Sequence, residues 1–424
     1  MLWLVCFFNY ADRQALSSVL PLLGKEFQLD DVKLGLLGSA FAWVYAAAAP
    51  LAGLMADRFA RKRLILAACV VWSLFTVATA CAGSFSWLFA ARALTGLGET
   101  FYFPAAMALL SDYHDARTRS RAMSWHQSAV YVGTILGSWL AAVLAERSGW
   151  RLPFFVFGPA GVVLAVVLGR FLREPDRRGG ASERQSVGSV PRKPSECERE
   201  SGRGPWGGIG LILRSPAALL LMGAFVCANF VAVIFLTWTP AFLVEKFSYS
   251  IGAAGLTGAL YIHLASGVTV PLAGSLADRW ECSRRGGRML VQMVGLLVGA
   301  AFVFWVGKAS DTISLVVAMC GFGVCKGFYD SGIFASLYDV IDPRNRGTAA
   351  GLMNTVGWGG GALGPLFVGL ACKYGHGATK TENMSNAIAF CGAIYLLAAA
   401  LVLGARLISR NRPNFSEARG VPNP

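Results

Sequence analysis

The sequence predicts an all-α integral membrane protein with twelve transmembrane helices, arranged as two six-helix parallel repeats. Composition is the first reason, because 55% of the 424 residues are hydrophobic and only 15% are charged. A water-soluble domain of this length does not have that balance. The second reason is that apolar stretches of about 20 residues, the length needed to cross the hydrocarbon core of a bilayer, recur along the chain.

Twelve such stretches are visible in the sequence. They cover residues 2–24, 34–56, 64–83, 87–110, 122–145, 152–172, 216–243, 252–277, 289–307, 313–338, 347–371 and 385–408. The first stretch has no basic residue before it and no small-residue cleavage site after it. We therefore expect a retained helix rather than a cleaved signal peptide.

The formal net charge of +14 is explained by membrane topology and does not require a nucleic-acid partner. Of the 38 Lys and Arg residues, 26 fall in the even-numbered loops and the C-terminal tail, against eight in the odd-numbered loops. Basic residues are retained on the cytoplasmic side of a membrane. The bias predicts a multi-pass protein of the cytoplasmic membrane with both termini in the cytoplasm. We expect a monomer in the lipid bilayer.

An internal repeat supports the division into two halves. Residues 53–58 (GLMADR) recur 221 positions later as residues 274–279 (GSLADR), and a second match at an offset of 227 pairs Tyr102 with Tyr329. Both halves start on the same side, so the repeats are parallel, an arrangement in which a solute site lies near the midplane between the halves. This architecture indicates alternating-access transport of a small solute.

The repeat and the charge pattern also set the expected domain limits. Residues 1–172 and 215–410 are predicted to form the two six-helix bundles, and residues 411–424 a cytoplasmic tail. Residues 173–214 contain nine basic and six acidic residues together with Gly, Ser and Pro, which is typical of a flexible cytoplasmic linker. Within it, residues 206–213 have a short interfacial helix as an alternative.

Ionisable side chains inside the predicted spans are few, and each costs roughly 2.5 to 3.5 kcal/mol on insertion scales, so they mark a candidate pathway for substrate or protons. They are Asp12, Arg13, Arg92, Glu99, Lys326 and Asp330. Two more polar residues, Asn9 and Tyr10, lie next to Asp12 and Arg13 on the first span. A buried packing seam is the alternative role for Asp12 and Arg13.

Spacing places several of these residues in pairs. Arg92 and Glu99 are seven residues apart and lie on one helix face, where they are expected to line one wall of a cavity. Lys326 and Asp330 are four residues apart and can pair directly, so a structural ion pair is the alternative for Asp330. The repeat puts Lys326 opposite Glu99, which predicts opposite charges across the cavity, with mutual neutralisation as the alternative.

Proton coupling is a further expectation from these residues. Burial and a nearby cation act in opposite directions on the proton affinity of a carboxylate. Glu99 or Asp12 is therefore expected to exchange a proton near neutral pH as Arg92 or Arg13 approaches and retreats.

Charged residues at the cytoplasmic rim form a second group. They are Asp57, Arg58 and Arg61 in the first half and Asp278 and Arg279 in the second. Charge pairs at this position can form in one conformation and break in the other, so we interpret these residues as gates. The alternative is that they serve orientation only.

Enzymatic and metal-dependent functions are not expected from this sequence. The ten Cys residues are scattered without a C-x-x-C pair, the four His residues do not cluster with them, and no H-E-x-x-H motif is present. We therefore expect no cofactor, no metal site and no enzyme activity. Because the two halves carry different charges at matched positions, a channel is not expected either.

Residues 53–62, with the pattern G-x-x-A-D-R-x-x-R-K, and residues 92–99, with the pattern R-x-x-x-G-x-G-E, resemble the major facilitator superfamily over essentially the whole chain. The N-Y-x-D-R pattern of residues 9–13 is similar to two branches of it, the organic anion to cation symporters and the Spinster-like transporters. The resemblance implies a rocker-switch transporter in which Asp57 and Arg58 steady the outward-facing state.

The same resemblance implies roles for other residues. Arg92 and Glu99 would take part in proton coupling, and Asp12 would be the span-one member of that polar group. Antiporters of the superfamily often carry Pro where this chain has Ser138, a difference that favours proton symport.

Two substrate classes follow from the two branches. The first is a small organic anion carried with protons, favoured by Arg13, Arg92 and Lys326 inside spans. The second is a lipid or lysolipid, for which aromatic side chains would line the path, with ordinary helix packing as their alternative role. These aromatic residues are Phe101, Tyr102, Phe103, Phe328, Tyr329 and Trp358.

Overall fold

The computed structural model describes residues 1–114, 119–174, 205–284, 286–341 and 346–410, and these residues are almost entirely helical. The helices are α1 (Leu2–Glu26), α2 (Asp31–Arg58), α3 (Arg61–Ala80), α4 (Phe85–Thr100), α5 (Tyr102–Tyr113), α6 (Arg119–Ser148), α7 (Arg151–Phe171), α8 (Pro205–Leu213), α9 (Pro216–Phe247), α10 (Ile251–Ser283), α11 (Gly287–Lys308), α12 (Thr312–Asp330), α13 (Ile333–Val340), α14 (Arg346–Gly361), α15 (Leu363–Tyr374) and α16 (Lys380–Arg410). The all-α prediction is confirmed. We call α1–α7 the N-terminal half and α9–α16 the C-terminal half.

Ten helical segments among the described residues are long and apolar enough to cross a membrane. They are α2, α3, α6, α7, α9, α10, α11, the continuous pairs α12–α13 and α14–α15, and α16. Helix α1 and the pair α4–α5 are not among the ten, and α1 contains the polar group at Asn9, Asp12 and Arg13. With these two added, the count agrees with the twelve predicted spans.

Three spans that the sequence suggests are single helices are each divided into two. The fourth span breaks at Phe101 and the eleventh at Ala362, in each case three residues before a proline. Because Pro104 and Pro365 have no backbone N–H, neither can donate to the carbonyl four residues earlier, and the helical ladder is interrupted there. The tenth span breaks at Ser331 and Gly332, which follow Asp330 at the end of α12.

Helix ends also differ from the predicted limits by a few residues. Helix α2 begins at Asp31, three residues earlier than predicted, because the Asp30 side chain accepts the backbone N–H of Lys33 at 2.9 Å and caps the helix. Residues 175–204 of the predicted linker and the tail 411–424 lie outside the described residues. A helix is present at Pro205–Leu213, the alternative proposed for the end of the linker.

The two halves pack together through α2 against α14 and α15, and through α6 against α10. The contact is closest near the start of α2, where a Cβ atom added to Gly35 would lie 2.5 Å from the carbonyl oxygen of Pro365. On the other pair, a Cβ atom on Gly255 would lie 2.8 Å from the Ser138 carbonyl oxygen. Only glycine allows backbones to approach this closely, as at other helix contacts in membranes.

Ion pairs between the halves lie at the same end of the molecule. Lys373 contacts Asp30 at 2.7 Å, and Lys380 contacts Asp31 at 2.9 Å. The hydrogen bonds from the Lys373 side chain and the Lys33 backbone hold the pKa of Asp30 below its usual value. We call this end, where α1 finishes and α2 starts, the closed end.

We predict that Gly35→Val destabilises the protein, because the added side chain must displace backbone at the closed end; overpacking of this kind typically costs about 1–3 kcal/mol. Gly53→Val on the same helix is the matched control, since a Cβ atom there meets nothing within 4 Å. Thermal unfolding of the two purified variants in detergent measures the difference. Equal unfolding midpoints would contradict the described helix contact.

Candidate functional site

A cavity of about 200 Å³ lies between the two halves. Its wall contains many polar side chains, contributed by α1 and α6 on one side and by α9, α10 and α12 on the other. They are Tyr10, Arg13, Gln14, Gln127, Tyr131, Thr134, Ser138, Asn229, His263, Lys326 and Asp330. Polar groups that converge in a concave site between helix bundles are typical of a solute-binding site.

Arg13 on α1 forms a buried ion pair with Glu99 on α4. Its Nε and Nη2 atoms donate to the Glu99 Oε2 atom at 3.0 and 2.7 Å. The Arg13 side chain is 8% exposed and the Glu99 side chain is not exposed at all. Because a charge without a counter-ion is very unfavourable at this depth, each residue stabilises the charged form of the other.

Aromatic rings surround the Arg13 guanidinium. Its Cζ atom lies 4.5 Å from the ring centres of Tyr10 and Phe41. The rings of Tyr45 and Trp358 are at 5.4 and 5.3 Å. These distances allow cation–π attraction, which is strongest where water is excluded. Since Trp358 belongs to the C-terminal half, the position of Arg13 depends on both halves.

Some polar atoms of this group have no hydrogen-bond partner among the described residues. They are the Nη1 atom of Arg13, the Oε1 atom of Glu99 and the Nδ2 atom of Asn9. Buried polar atoms without a partner are rare in folded proteins, and each one needs an explanation. The Arg13 side chain lines the cavity, and its Nη1 atom, although buried, has N–H donors that an anionic group bound there would satisfy.

Asp12 and Arg92 complete the charged group of the N-terminal half. Asp12 accepts a hydrogen bond from the Thr76 hydroxyl on α3. Arg92 donates from Nη2 to the Arg13 carbonyl oxygen at 2.8 Å, and its Cζ atom lies 4.8 Å from the Phe41 ring centre. With two carboxylates and two guanidinium groups, this group is balanced in charge when all four are ionised.

Arg92 and Glu99 were expected to line a cavity wall, and this structure places them behind the wall of the cavity described above. Both are buried, at 6% and 1% exposure, and neither is among the lining residues. Arg13 is the reason, because it bonds to Glu99 and itself occupies the wall. The two residues therefore form a layer behind the cavity surface.

Lys326 and Asp330 on α12 form an ion pair on the opposite wall. Glu99 and Lys326 thus have separate partners, and the alternative in which they neutralise each other is not observed. The predicted opposition of Glu99 and Lys326 across the cavity is not seen in this structure, because Arg13 lies between Glu99 and the cavity. Each wall instead presents a cation, with Arg13 on one side and Lys326 on the other.

Tyr102 and Tyr329 lie away from the cavity, in the cores of their halves. The Tyr102 hydroxyl donates to the Leu2 carbonyl oxygen at 2.9 Å and lies 2.8 Å from His126 Nε2. Tyr329 is 1% exposed and its hydroxyl has no hydrogen-bond partner among the described residues. Their direct contact with substrate in the cavity, expected from the sequence, is not seen in this structure.

The residues expected to act as gates are partly described. Arg61 donates from Nη1 to the Ala108 carbonyl oxygen at 2.8 Å. Asp278 pairs with Arg288 at 2.9 Å, and Arg279 is exposed. The side chains of Asp57 and Arg58 lie outside the described part of the chain. The gating role of this group stays a prediction.

Several residues of the site were missed by the sequence reasoning. Phe41 and Tyr45 on α2 contact Arg13 but look like ordinary apolar residues of a span. Gln14 and Asn229 line the cavity, and these could have been found, because an amide inside an apolar span is as conspicuous as Asn9. Thr76, the partner of Asp12, had no signal in the sequence.

Residues 2–365 match the model of the Major Facilitator Superfamily, and residues 264–423 match it a second time. The chain belongs to the Major Facilitator Superfamily. Members of this superfamily are transporters and not enzymes, so the chain is a multi-pass membrane transport protein. The predicted fold class, an all-α membrane protein with the fold of this superfamily, is confirmed.

Two proteins named as transporters are similar to this chain in sequence over most of its length. A probable galactarate/D-glucarate transporter, GudP, of Bacillus subtilis is 29% identical over 410 residues, which cover 93% of this chain and 88% of that protein. The chloroplastic ascorbate transporter of Arabidopsis thaliana is 28% identical over 386 residues, 88% of this chain and 69% of that protein. The resemblance to organic anion transporters of the superfamily is thus confirmed.

The solved structures include a bacterial homologue of the human lysosomal transporter Spinster, in an inward-facing and unoccupied conformation. It superposes with a TM-score of 0.81, covers 96% of both chains and is 21% identical in sequence. The fold therefore also resembles the Spinster-like branch.

We predict that removing the Glu99 carboxylate is far more destabilising than removing the Asp330 carboxylate. Glu99→Leu leaves the Arg13 guanidinium buried without a counter-ion, a change that typically costs about 3–5 kcal/mol. Asp330→Leu is the matched control, because its ion pair is partly exposed, at 17% for Lys326 and 31% for Asp330. Thermal unfolding in mild detergent compares the two, and equal midpoints would rule out Arg13–Glu99 as a tightly buried pair.

Proposed function

We propose that the protein is a secondary active transporter that carries a small organic anion together with protons by alternating access. The observation that supports it best is the Arg13 guanidinium on the cavity wall, whose buried Nη1 atom has no hydrogen-bond partner among the described residues. A guanidinium offers planar donors that match the geometry of a carboxylate. The other two nitrogen atoms of the guanidinium, Nε and Nη2, donate to Glu99. Nη1 therefore remains for one anionic group.

The size of the cavity supports a small substrate. At about 200 Å³, it is below the roughly 300–1,000 Å³ typical of sites for drug-sized ligands. A sugar acid of five or six carbons is of suitable size, whereas the acyl chain of a lysophospholipid would not be enclosed. The relatives described above, whose names give galactarate, D-glucarate and ascorbate as substrates, support the same class.

Charge balance supports coupling to protons. The N-terminal group contains Asp12 and Glu99 against Arg13 and Arg92, so an incoming monoanion adds one negative charge to a site of low dielectric constant. One proton on Asp12 or Glu99 would restore the balance, and uncompensated charge is unfavourable at this depth. A proton and an anion would then cross the membrane together, which is symport.

Alternating access fits the packing of the halves. We infer that the closed end faces the outside, because the basic residues concentrate in the loops at the other end. Both termini would then be cytoplasmic, and the structure would represent a state open toward the cytoplasm. In the opposite state, charged residues would close the cytoplasmic rim; they are Asp57, Arg58, Arg61, Asp278 and Arg279. The transporter would act as a monomer in the lipid bilayer.

Transport of a lipid or lysolipid is the second candidate function. The observation that favours it is the aromatic surrounding of Arg13 by Phe41, Tyr45 and Trp358. Those rings contact the guanidinium itself, which explains them without an acyl chain.

We predict that small organic acids raise the thermal unfolding temperature of the purified protein and that Arg13→Gln abolishes this effect. A ligand that binds only the folded state stabilises it by a free energy that grows with the logarithm of its concentration over its dissociation constant. Arg151→Gln is the matched control, because Arg151 forms an exposed pair with Glu26 far from the cavity. D-Glucuronate, D-glucarate, glucose and a lysophospholipid form the panel.

The pH dependence of this stabilisation tests whether a proton binds together with the anion. Stabilisation by the acid is expected to be stronger at pH 5.5 than at pH 8, because protonation of a carboxyl in the N-terminal group favours the anion. Glu99→Gln should remove or reduce this dependence. Stabilisation by the lysophospholipid alone would replace the proposal by lipid transport.

A further inference from the structure

Lys326 and Asp330 are not required by the proposed binding of one anion and one proton at Arg13. Yet both line the same cavity, on the C-terminal half, facing the wall that contains Arg13. A partly exposed helical pair four residues apart stabilises a helix only slightly, whereas charges inside a span are unfavourable. Stability alone therefore does not account for this pair.

The Lys326 ammonium group has donors to spare. It carries three N–H groups, and its hydrogen bond in the structure goes to Asp330 on the next turn of α12. The charged and titratable side chains near the pair come from several helices. They are Tyr131 on α6, His263 on α10, Tyr329 on α12 and Tyr395 on α16. None of these is a second permanent anion, so a bound anionic group would not be repelled by more than Asp330.

We propose that Lys326 binds a second anionic group, so that the transported solute is a small dianion with one carboxylate at Arg13 and the other at Lys326. This inference rests on the proposed function, because it takes binding of the first carboxylate at Arg13 as given. Asp330 pairs with the ammonium group when the cavity is empty, and it competes with the second carboxylate of the substrate for that group.

The wall between the two cations fits the middle of such a molecule. Gln14, Gln127 and Asn229 line the cavity, and their amide groups both donate and accept hydrogen bonds. Hydroxyl groups also do both, so a polyhydroxylated chain between the carboxylates is well matched. A dianion held by one cation from each half would also draw the halves together, as alternating access requires of a substrate.

The names of the relatives do not decide between one charge and two. Galactarate has two carboxylates, whereas ascorbate is a monoanion. The choice rests on Lys326, which is the group that would discriminate between them.

The test compares three ligands with the same six-carbon skeleton. D-Gluconate has one carboxylate, D-glucarate has a second at the other end, and 6-amino-6-deoxy-D-gluconate has an ammonium group at that end instead. Their dissociation constants are measured by calorimetry on the full-length protein in detergent, for the wild type, Lys326→Gln and Asp330→Asn. Lys308→Gln is the control, since Lys308 bonds to Asn386 at an exposed position away from the cavity.

We expect D-glucarate to bind the wild type about tenfold more tightly than D-gluconate, the size expected of a charge-assisted hydrogen bond. Lys326→Gln should remove most of that difference and leave D-gluconate binding nearly unchanged. Asp330→Asn removes the competing carboxylate and should strengthen D-glucarate binding while leaving that of D-gluconate unchanged. The Lys308→Gln control should behave as the wild type.

Several results would overturn the inference while leaving the proposed function intact. One is equal binding of D-gluconate and D-glucarate, and another is an equal loss of both in Lys326→Gln. Preferred binding of 6-amino-6-deoxy-D-gluconate would assign the second position to a cation at Asp330. Binding of none of the acids would reject the proposed function and this inference with it. Should Lys326→Gln fail to fold, the wild-type comparison and Asp330→Asn still decide.

Discussion

The structure depends above all on the buried ion pair between Arg13 and Glu99. It joins α1 to α4 across the middle of the N-terminal half, and it fixes two nitrogen atoms of a guanidinium whose third nitrogen stays free. A charge at this depth persists only with a partner. The other contacts of Arg13, with the aromatic rings and with the cavity, follow from that fixed position, and so does the hidden position of Glu99.

The two halves compensate the charges inside their spans in different ways. In the N-terminal half, Asp12, Arg13, Arg92 and Glu99 form a balanced group that is buried behind the wall except at Arg13. In the C-terminal half, Lys326 and Asp330 form a balanced pair that is open to the cavity. Each half thus offers one cation to a solute and keeps one or more carboxylates beside it. In the proposed mechanism, these two cations are two anion-binding positions, one on each half.

Much of the fold follows from the sequence, because apolar stretches of membrane-spanning length and a parallel repeat leave few other arrangements. The ionisable residues of the site were also predictable, since charge inside an apolar span is easily seen. The ion-pair partners of these residues were less predictable. The pair of Lys326 and Asp330 follows from helical spacing, but Arg13 and Glu99 are 86 residues apart. Which face α2 turns toward α1, and hence the role of Phe41, is decided by tertiary packing. Two of the three divided spans follow from Pro104 and Pro365, a local signal that hydropathy alone overlooks.

The central claim is that an organic anion crosses the membrane together with a proton through the cavity at Arg13. It is tested most directly by uptake of radiolabelled D-glucarate into proteoliposomes, with the outside at pH 5.5 and the inside at pH 7.5. The account predicts uptake above the equilibrium level that collapses when the pH gradient is dissipated and is absent in Arg13→Gln, while Arg151→Gln retains it. Uptake that does not respond to the gradient, or that Arg13→Gln leaves unchanged, would contradict the account.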